Sequence, residues 1–166
     1  MASVDDNFKN ILKKVDQLRA DKSFDLSLDE DLSLAVMNLI SLEEHFFFTS
    51  QKTGKNTYLD LLNQTRAIRK DLLGRLVDSH EGETWCITKH LLAATMRLME
   101  VGTKLQTAQK PAEAEAMFAT AYRIYTMFWA LRLKLIDLKG VTKKPEVNTS
   151  WSYEDIVSKL VDCCKE

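Results

Sequence analysis

The sequence has little glycine and little proline: five glycines and two prolines among 166 residues. A β-sandwich or a β-barrel needs many turn residues, and a low-complexity chain is strongly biased in composition, so these classes are excluded. No apolar run approaches the roughly 18 residues that a membrane-spanning helix needs. With 45% apolar residues, a chain of this length is expected to bury a sizeable core in one domain.

The chain also lacks an excess of charge of either sign. Lysine and arginine number 23, aspartate and glutamate number 24, and the formal net charge is -1. This balance removes the electrostatic reason to expect binding to nucleic acid or to an anionic membrane. The partners that remain are another protein, a second copy of this chain, or a small ligand.

Cysteine is scarce and odd in number: the sequence contains Cys86, Cys163 and Cys164 alone. An odd set is not the disulfide framework of a small secreted domain. Residues 1–6 have neither the basic nor the apolar part of a signal peptide, and position 2 is not the glycine that N-myristoylation requires. The terminal Cys-Cys-Lys-Glu lacks the aliphatic residues of a prenylation motif. The sequence therefore predicts a reduced, cytoplasmic protein.

Apolar residues recur at helical spacing through almost the whole chain, and the alternation typical of a β-strand is nearly absent. A capping-box pattern, Ser27-Leu28-Asp29-Glu30, predicts the start of a helix, and Pro111 stands where a first-turn proline belongs. The predicted helices cover residues 7–21, 27–51, 57–78, 83–108, 111–138 and 152–163, with a polar linker at 139–151. Four long helices with short connections predict an all-α fold: an antiparallel up-and-down four-helix bundle with additional short N- and C-terminal helices, forming a single domain over residues 1–166.

Charged residues interrupt the apolar stripes of three predicted helices. At about 100° per residue, Glu43 lies within the stripe of the second helix, Arg69 within that of the third, and Arg132 within that of the fifth, beside Tyr125. An unpaired buried charge costs several kcal/mol, so these groups need partners or water. One interpretation is an ion pair, Glu43–Arg69 or Glu43–Arg132, that fixes the register of the helices. The other is a polar pocket formed by all four residues, which binds an anionic or hydrogen-bonding ligand.

A transition-metal site is the alternative from a different functional class. Cys86 and His90 are four residues apart on the fourth predicted helix, so both side chains could reach one ion. Glu44 on the second helix offers a carboxylate, and metal sites in bundles draw ligands from facing helices. The chain contains no Glu-x-x-His motif of the kind used by di-iron bundles.

The fourth and fifth predicted helices resemble one tetratricopeptide repeat unit. The matching positions are Leu98, Val101, Gly102 and Leu105, followed by Ala114, Phe118 and Ala121. The small residues Gly102 and Ala114 are expected to let the two helices approach closely. The resemblance implies a tightly packed helical hairpin and a role in protein binding.

A second resemblance concerns Arg75-Leu76-Val77-Asp78-Ser79-His80, which is similar to the R-x4-H signature of HEPN domains, small all-helical bundles that often act as ribonucleases. It implies that Arg75 and His80 bind and cleave at a phosphate, commonly across a dimer interface. The sequence departs from that family at Leu76, where a polar residue is usual. Motifs of nucleotide-binding loops, zinc proteases and serine hydrolases are absent from the sequence.

Three consecutive aromatic rings, Phe46-Phe47-Phe48, spread around the second predicted helix, so at least one must face another helix or a partner. They favour self-association or a docking groove. Taken together, the patterns predict a non-catalytic binding protein rather than an enzyme. It would bind a protein partner, or a small ligand near Glu43, Arg69, Arg132 and Tyr125. The alternatives are a metal-binding bundle and a HEPN-like ribonuclease.

Overall fold

The computed structural model describes residues 4–21, 25–77 and 83–135. Within these ranges the chain forms five helices and no strand, and the predicted all-α class is confirmed. The helices are α1 (Val4–Ala20), α2 (Ser27–Thr53), α3 (Thr57–Leu76), α4 (Glu83–Thr107) and α5 (Pro111–Arg132). None of these helices is long and apolar enough to cross a membrane. The linker predicted at 139–151 and the helix predicted at 152–163 lie outside the described residues.

Helix α2 begins where the sequence predicts, but through a different contact. The Ser27 side chain does not cap the helix; instead the backbone N–H of Ser27 donates to Oδ1 of Asp25 at 2.9 Å. A carboxylate at this position also interacts favourably with the positive end of the helix dipole. The hydrogen bonds from the Ser27 backbone and side chain hold the pKa of Asp25 below its usual value of 3.8.

The lowered pKa of Asp25 makes the stability of the protein depend on pH. The ionised carboxylate stabilises the folded state above the unfolded pKa, and this contribution is lost as the pH falls through the folded pKa. We therefore expect Asp25→Ala to be less stable than the wild type at neutral pH, with the difference shrinking as the pH falls below about 3.8. Urea unfolding at pH 7 and in acid measures this. Asp25→Asn, which keeps an acceptor without the charge, is the control, and a pH-independent difference for Asp25→Ala would contradict the expectation.

Helices α4 and α5 end in similar left-handed turns. After α4, the N–H of Lys110 donates to the carbonyl of Leu105 at 3.0 Å, while Gln109 takes a φ of 58°. Lys134 takes a φ of 53° after α5. This is the Schellman arrangement, in which glycine is the usual left-handed residue. The sequence predicted a helix over 111–138, but α5 ends at Arg132, and the left-handed residue that follows is a lysine, which gives no local signal in the sequence.

The helices pack as two hairpins, α2–α3 and α4–α5, and α2 also packs against α4. The core lies where the N-terminal halves of α2 and α4 meet the C-terminal ends of α3 and α5, and we call this the closed end. Its buried side chains are Val36, Met37, Leu73, Leu76, Val77, Trp85, Cys86, Leu92 and Phe128. The connections 54–56 and 108–110 are the hairpin tips, and they lie at the other end of these helices, which we call the open end.

Candidate functional site

The first polar contact of the interior joins the two helices of the α2–α3 hairpin. Arg69 Nε donates to Glu43 Oε1 at 2.8 Å, and Arg69 Nη2 donates to Glu43 Oε2 at 3.2 Å. Two parallel hydrogen bonds of this kind are the strong, bidentate form of an arginine–carboxylate pair. The Arg69 side chain is 2% exposed and that of Glu43 is 15% exposed. Of the two ion pairs that the sequence allowed for Glu43, this is the one that forms.

Arg132 has a different partner. Its Nη2 lies 2.7 Å from Oδ2 of Asp29, with side chains 31% and 20% exposed. Asp29 is in the first turn of α2 and Arg132 in the last turn of α5, so each charge is favourable to its own helix dipole. The Tyr125 hydroxyl lies 2.7 Å from Ser33 Oγ. Because Ser33 Oγ donates to the backbone carbonyl of Glu30, the Tyr125 hydroxyl is the donor in this contact.

The four residues predicted to form one polar pocket are therefore divided between two places. Glu43 and Arg69 satisfy each other between α2 and α3, while Arg132 and Tyr125 bind side chains at the start of α2. These contacts fix the positions of α3 and α5 against α2. Sequence analysis missed Asp29 and Ser33 as partners, although both precede Val36 at helical spacing, because Asp29 was assigned to the helix start.

The three predicted metal ligands are not brought together. Cys86 points into the core and is buried, while His90 is exposed one turn later. Glu44 accepts a hydrogen bond from Arg97 at the surface between α2 and α4. Within residues 4–21, 25–77 and 83–135, no group of three or more histidine, cysteine, aspartate or glutamate side chains is arranged to hold a metal ion.

Arg75, from the HEPN-like pattern, lies on the exposed face of α3. It forms an ion pair with Asp71, one turn earlier in the same helix, at 3.0 Å. His80 lies outside the described residues.

At the open end, helix faces that are buried elsewhere become exposed. Phe47 lies eleven residues after Val36, about three turns along the same face of α2. Val36 is 0% exposed and Phe47 is 47% exposed. On α4, Met99 lies two turns after Leu92, and the exposure rises from 0% to 43%. Exposed apolar side chains therefore occur on the core-facing sides of both helices at the open end, although Ser50, one turn after Phe47, is buried.

Helix α5 shows the same change. Tyr125 packs in the interior against Phe128 and Trp129, with ring centroids 5.7 and 6.0 Å away. Tyr122, one turn closer to the tip, is 70% exposed. A groove of about 460 Å³ lies beside it, lined by Gln106, Pro111, Ala114, Glu115, Phe118, Ala119 and Tyr122. All of the lining residues belong to α4 and α5.

Of the three consecutive phenylalanines of α2, at least one was predicted to face another helix or a partner, and one does face another helix. Phe46 packs against Tyr58 of α3, with ring centroids 6.5 Å apart. Phe47 and Phe48 contact each other at 5.3 Å and remain exposed. One ring therefore faces another helix, and two are left at the open end.

Both hairpin tips are basic. Lys52 and Lys55 flank the α2–α3 tip, and residues 45–59 contain no acidic side chain. Lys104 and Lys110 flank the α4–α5 tip. Residues 101–112 contain no acidic side chain, but Lys110 forms an ion pair with Glu113 at 3.1 Å. The near-zero net charge of the whole chain conceals this local excess, which places positive potential beside an apolar surface.

Helices α4 and α5 are in close contact at Gly102, where the Phe118 ring lies against the helix backbone. Ala114 is buried in the same hairpin. The tightly packed hairpin that the tetratricopeptide-like spacing predicted is thereby confirmed as a local feature. No protein-family model, no curated protein and no solved structure matches the chain.

Proposed function

We propose that this protein is a non-catalytic helical-bundle binding protein. We further propose that Phe47, Met99, Tyr122 and the groove beside Tyr122 form one surface, the inter-hairpin cleft, and that this surface binds an apolar helical segment of a partner protein. The observation that carries the proposal is the exposure of Phe47 and Met99 on faces that are fully buried at the closed end. Apolar surface gains roughly 25 cal/mol for each Å² removed from water. Burying Phe47 and Met99 against a partner would therefore be favourable.

The chemistry of the cleft favours an amphipathic helix as its ligand. Helices bind in apolar grooves through residues spaced three and four apart, and the cleft offers aromatic rings and a methionine to such a stripe. Aromatic and methionine side chains are enriched in the centres of protein interfaces. Lys52, Lys55 and Lys104 at the two tips favour acidic residues at the edges of the bound segment.

Binding of a small ligand in the polar interior has less support. The Arg69 guanidinium is almost fully buried and already binds both carboxylate oxygens of Glu43. An anionic ligand would have to displace a carboxylate that is held by two hydrogen bonds. The ion pair is better explained as a fixed part of the α2–α3 hairpin.

A pair of methionines tests the proposed function. Met99 in the cleft is 43% exposed, and Met127 on α5, about 140° around that helix from Tyr122, is 46% exposed. We expect tagged wild-type protein and Met127→Glu to retain the same partner from a cell extract, and Met99→Glu to retain at least about tenfold less of it, since a carboxylate in an apolar interface must be desolvated. Titration with the purified partner measures the loss of affinity.

Both methionine variants add the same charge at similar exposure, so both should fold with nearly unchanged stability. Circular dichroism and thermal unfolding check this. Equal binding by Met99→Glu and Met127→Glu would show that the cleft is not the binding surface. Failure of the wild type to retain any protein would contradict a partner-binding role.

A further inference from the structure

The α2–α3 hairpin carries exposed apolar side chains on the side that faces away from the core. Leu42 of α2 is 39% exposed, and Leu61 and Ile68 of α3 are 42% and 55% exposed. We call these three residues the outer patch. We propose that the outer patch is the interface of a homodimer, in which two copies of the chain pack their α3 helices antiparallel about a twofold axis at Ile68. This surface is separate from the inter-hairpin cleft, so the inference goes beyond the function proposed above.

The ion pair between the two helices shows that Leu42 and Ile68 are neighbours. Glu43 and Arg69 are bonded across the hairpin at 2.8 Å, and Leu42 and Ile68 each come one residue earlier, so they lie within about 3 Å of the same level. Each is also about 100° around its helix from the ion pair, and because the helices are antiparallel, both rotations lead to the same side of the hairpin. Leu73, about 140° from Ile68 around α3, is fully buried in the core, which makes this the outer side.

A twofold axis at this level would bring apolar groups of the two copies together. In an antiparallel pair centred on Ile68, a residue n positions after Ile68 lies level with the residue n positions before it in the other copy. The two Ile68 side chains therefore meet at the axis, with Leu42 of each copy beside them. Leu61 and Arg75 each lie seven residues from Ile68, so the aliphatic stem of Arg75 from the second copy would cover Leu61.

The charges around the outer patch are complementary under the same twofold axis. Asp60 lies eight residues before Ile68 and Arg75 seven after it, so each would lie beside the other in the second copy. Arg75 bonds Asp71 through Nη2 alone, and a guanidinium has further N–H donors for a second carboxylate. A parallel pair would instead place Asp60 beside Asp60 and Arg75 beside Arg75, which is unfavourable.

Helix α2 shows the same complementarity. Asp31 lies eleven residues before Leu42 and Lys52 ten after it, and both are exposed. The axis that pairs Asp60 with Arg75 on α3 therefore also brings Asp31 of one copy beside Lys52 of the other. Opposite charges thus meet at both edges of the interface, with leucine and isoleucine between them, which is the usual anatomy of a protein interface.

The size of the surface indicates how tightly the copies would bind. Helix α3 has 20 residues and is about 30 Å long. Two helices, each about 10 Å wide, present about 600 Å² over that length, or about 1,200 Å² for both copies, which is the lower end of the range for specific interfaces. We therefore expect a dimer that dissociates on dilution.

Sedimentation equilibrium of the full chain, from micromolar to submillimolar concentration, tests the proposal. We expect the mean mass to rise with concentration from 19.0 kDa toward twice that value. Ile68→Glu places two like charges at the axis, so it should weaken association at least about tenfold. Met127→Glu adds the same charge on α5 at a side chain that is 46% exposed, and it should associate as the wild type does. Circular dichroism checks that both variants fold.

An exchange of charges tests the twofold axis itself. Asp60→Lys and Arg75→Glu should each weaken association several-fold, because each places like charges together at both ends of α3. The double variant restores opposite charges and should associate about as tightly as the wild type. Asp60 and Arg75 are about 22 Å apart along one α3 helix, so this recovery requires contact between two copies.

A mass of 19.0 kDa at every concentration would overturn the proposal. Equal association by Ile68→Glu and Met127→Glu would show that the outer patch is not the interface. A double charge variant that associates no better than Asp60→Lys or Arg75→Glu alone would refute the antiparallel arrangement. The partner experiment with Met99→Glu is independent of these readouts, because Met99 lies on α4 and outside the outer patch.

Discussion

Replacing Glu43 with leucine is expected to lower the free energy of unfolding by about 3–5 kcal/mol, because the variant removes the carboxylate that accepts two hydrogen bonds from a buried guanidinium. Arg69 is 2% exposed, and its Nε and Nη2 both donate to the carboxylate that the variant removes. Water cannot replace those acceptors without opening the α2–α3 hairpin. Urea unfolding of the wild type and of Glu43→Leu measures the loss.

The double variant Glu43→Leu with Arg69→Met should recover most of this loss or exceed the stability of the wild type, because apolar residues of similar volume often replace a buried ion pair at no cost. The control is Asp29→Leu, which breaks a second pair with Arg132. Both of its side chains keep some access to water, so its loss should be nearer 1 kcal/mol. A double variant as unstable as Glu43→Leu would refute a purely structural pair.

The double variant also separates structural from functional use of the polar interior. If Glu43 and Arg69 fix the hairpin and nothing more, the double variant should bind the partner protein as the wild type does. If the double variant unfolds with normal cooperativity but does not bind the partner, Glu43 and Arg69 contribute to the binding site. The same titration that compares Met99→Glu with Met127→Glu provides this measurement.

The starts of α2 to α5 could be predicted from the sequence, because local chemistry decides them, whereas α1 begins at Val4 rather than at the predicted residue 7. Ser27, Thr57 and Pro111 were each predicted as a start and each begins a helix. The end of α5 could not be predicted. Lys134 takes a left-handed conformation there, and lysine as a residue type has no preference for that conformation. The capping contact of α2 was predicted wrongly: the N-cap position is Leu26, and the side chain of Asp25, not that of Ser27, accepts a backbone hydrogen bond at the helix start.

The ion-pair partners were only half predictable. Periodicity places Glu43 and Arg69 on apolar faces, and that much is borne out by their burial. It does not tell which helix lies on which side of α2. Arg132 also lies on an apolar face, but it is near the closed end, where Asp29 rather than Glu43 is within reach.

The exposed apolar surface at the open end could not be predicted from the sequence. Val36 and Phe47 occupy the same face of α2 and are equivalent to any periodicity analysis, yet one is buried and the other is exposed. The difference depends on whether a facing helix covers that part of the face, which is a property of the packing of the hairpins. The three phenylalanines gave a partial signal, since their rings cannot all face the same neighbour.

Gly102→Ala is expected to lower the free energy of unfolding by up to about 2 kcal/mol, against the usual gain for this substitution in a helix. A Cβ on Gly102 would lie 2.6 Å from Cε1 and 2.8 Å from Cδ1 of Phe118, so the ring or the α4–α5 hairpin must move. Overpacking of this kind costs about 1–3 kcal/mol, which outweighs the roughly 1 kcal/mol of helix propensity that alanine returns. Thermal and urea unfolding of the variant measure the net loss.

The control is Gly74→Ala in α3, where the added Cβ would lie 3.9 Å from the Trp85 ring, an ordinary contact. That variant should be more stable than the wild type by up to about 1 kcal/mol, because only the propensity term acts. In a Phe118→Ala background the obstacle to Gly102→Ala is gone, so the same substitution should change from destabilising to stabilising. The coupling between the two sites should reach about 2 kcal/mol, within the range for residues in contact. Additive effects would mean that the helices already have room for a methyl group at Gly102, and that their close approach has another cause.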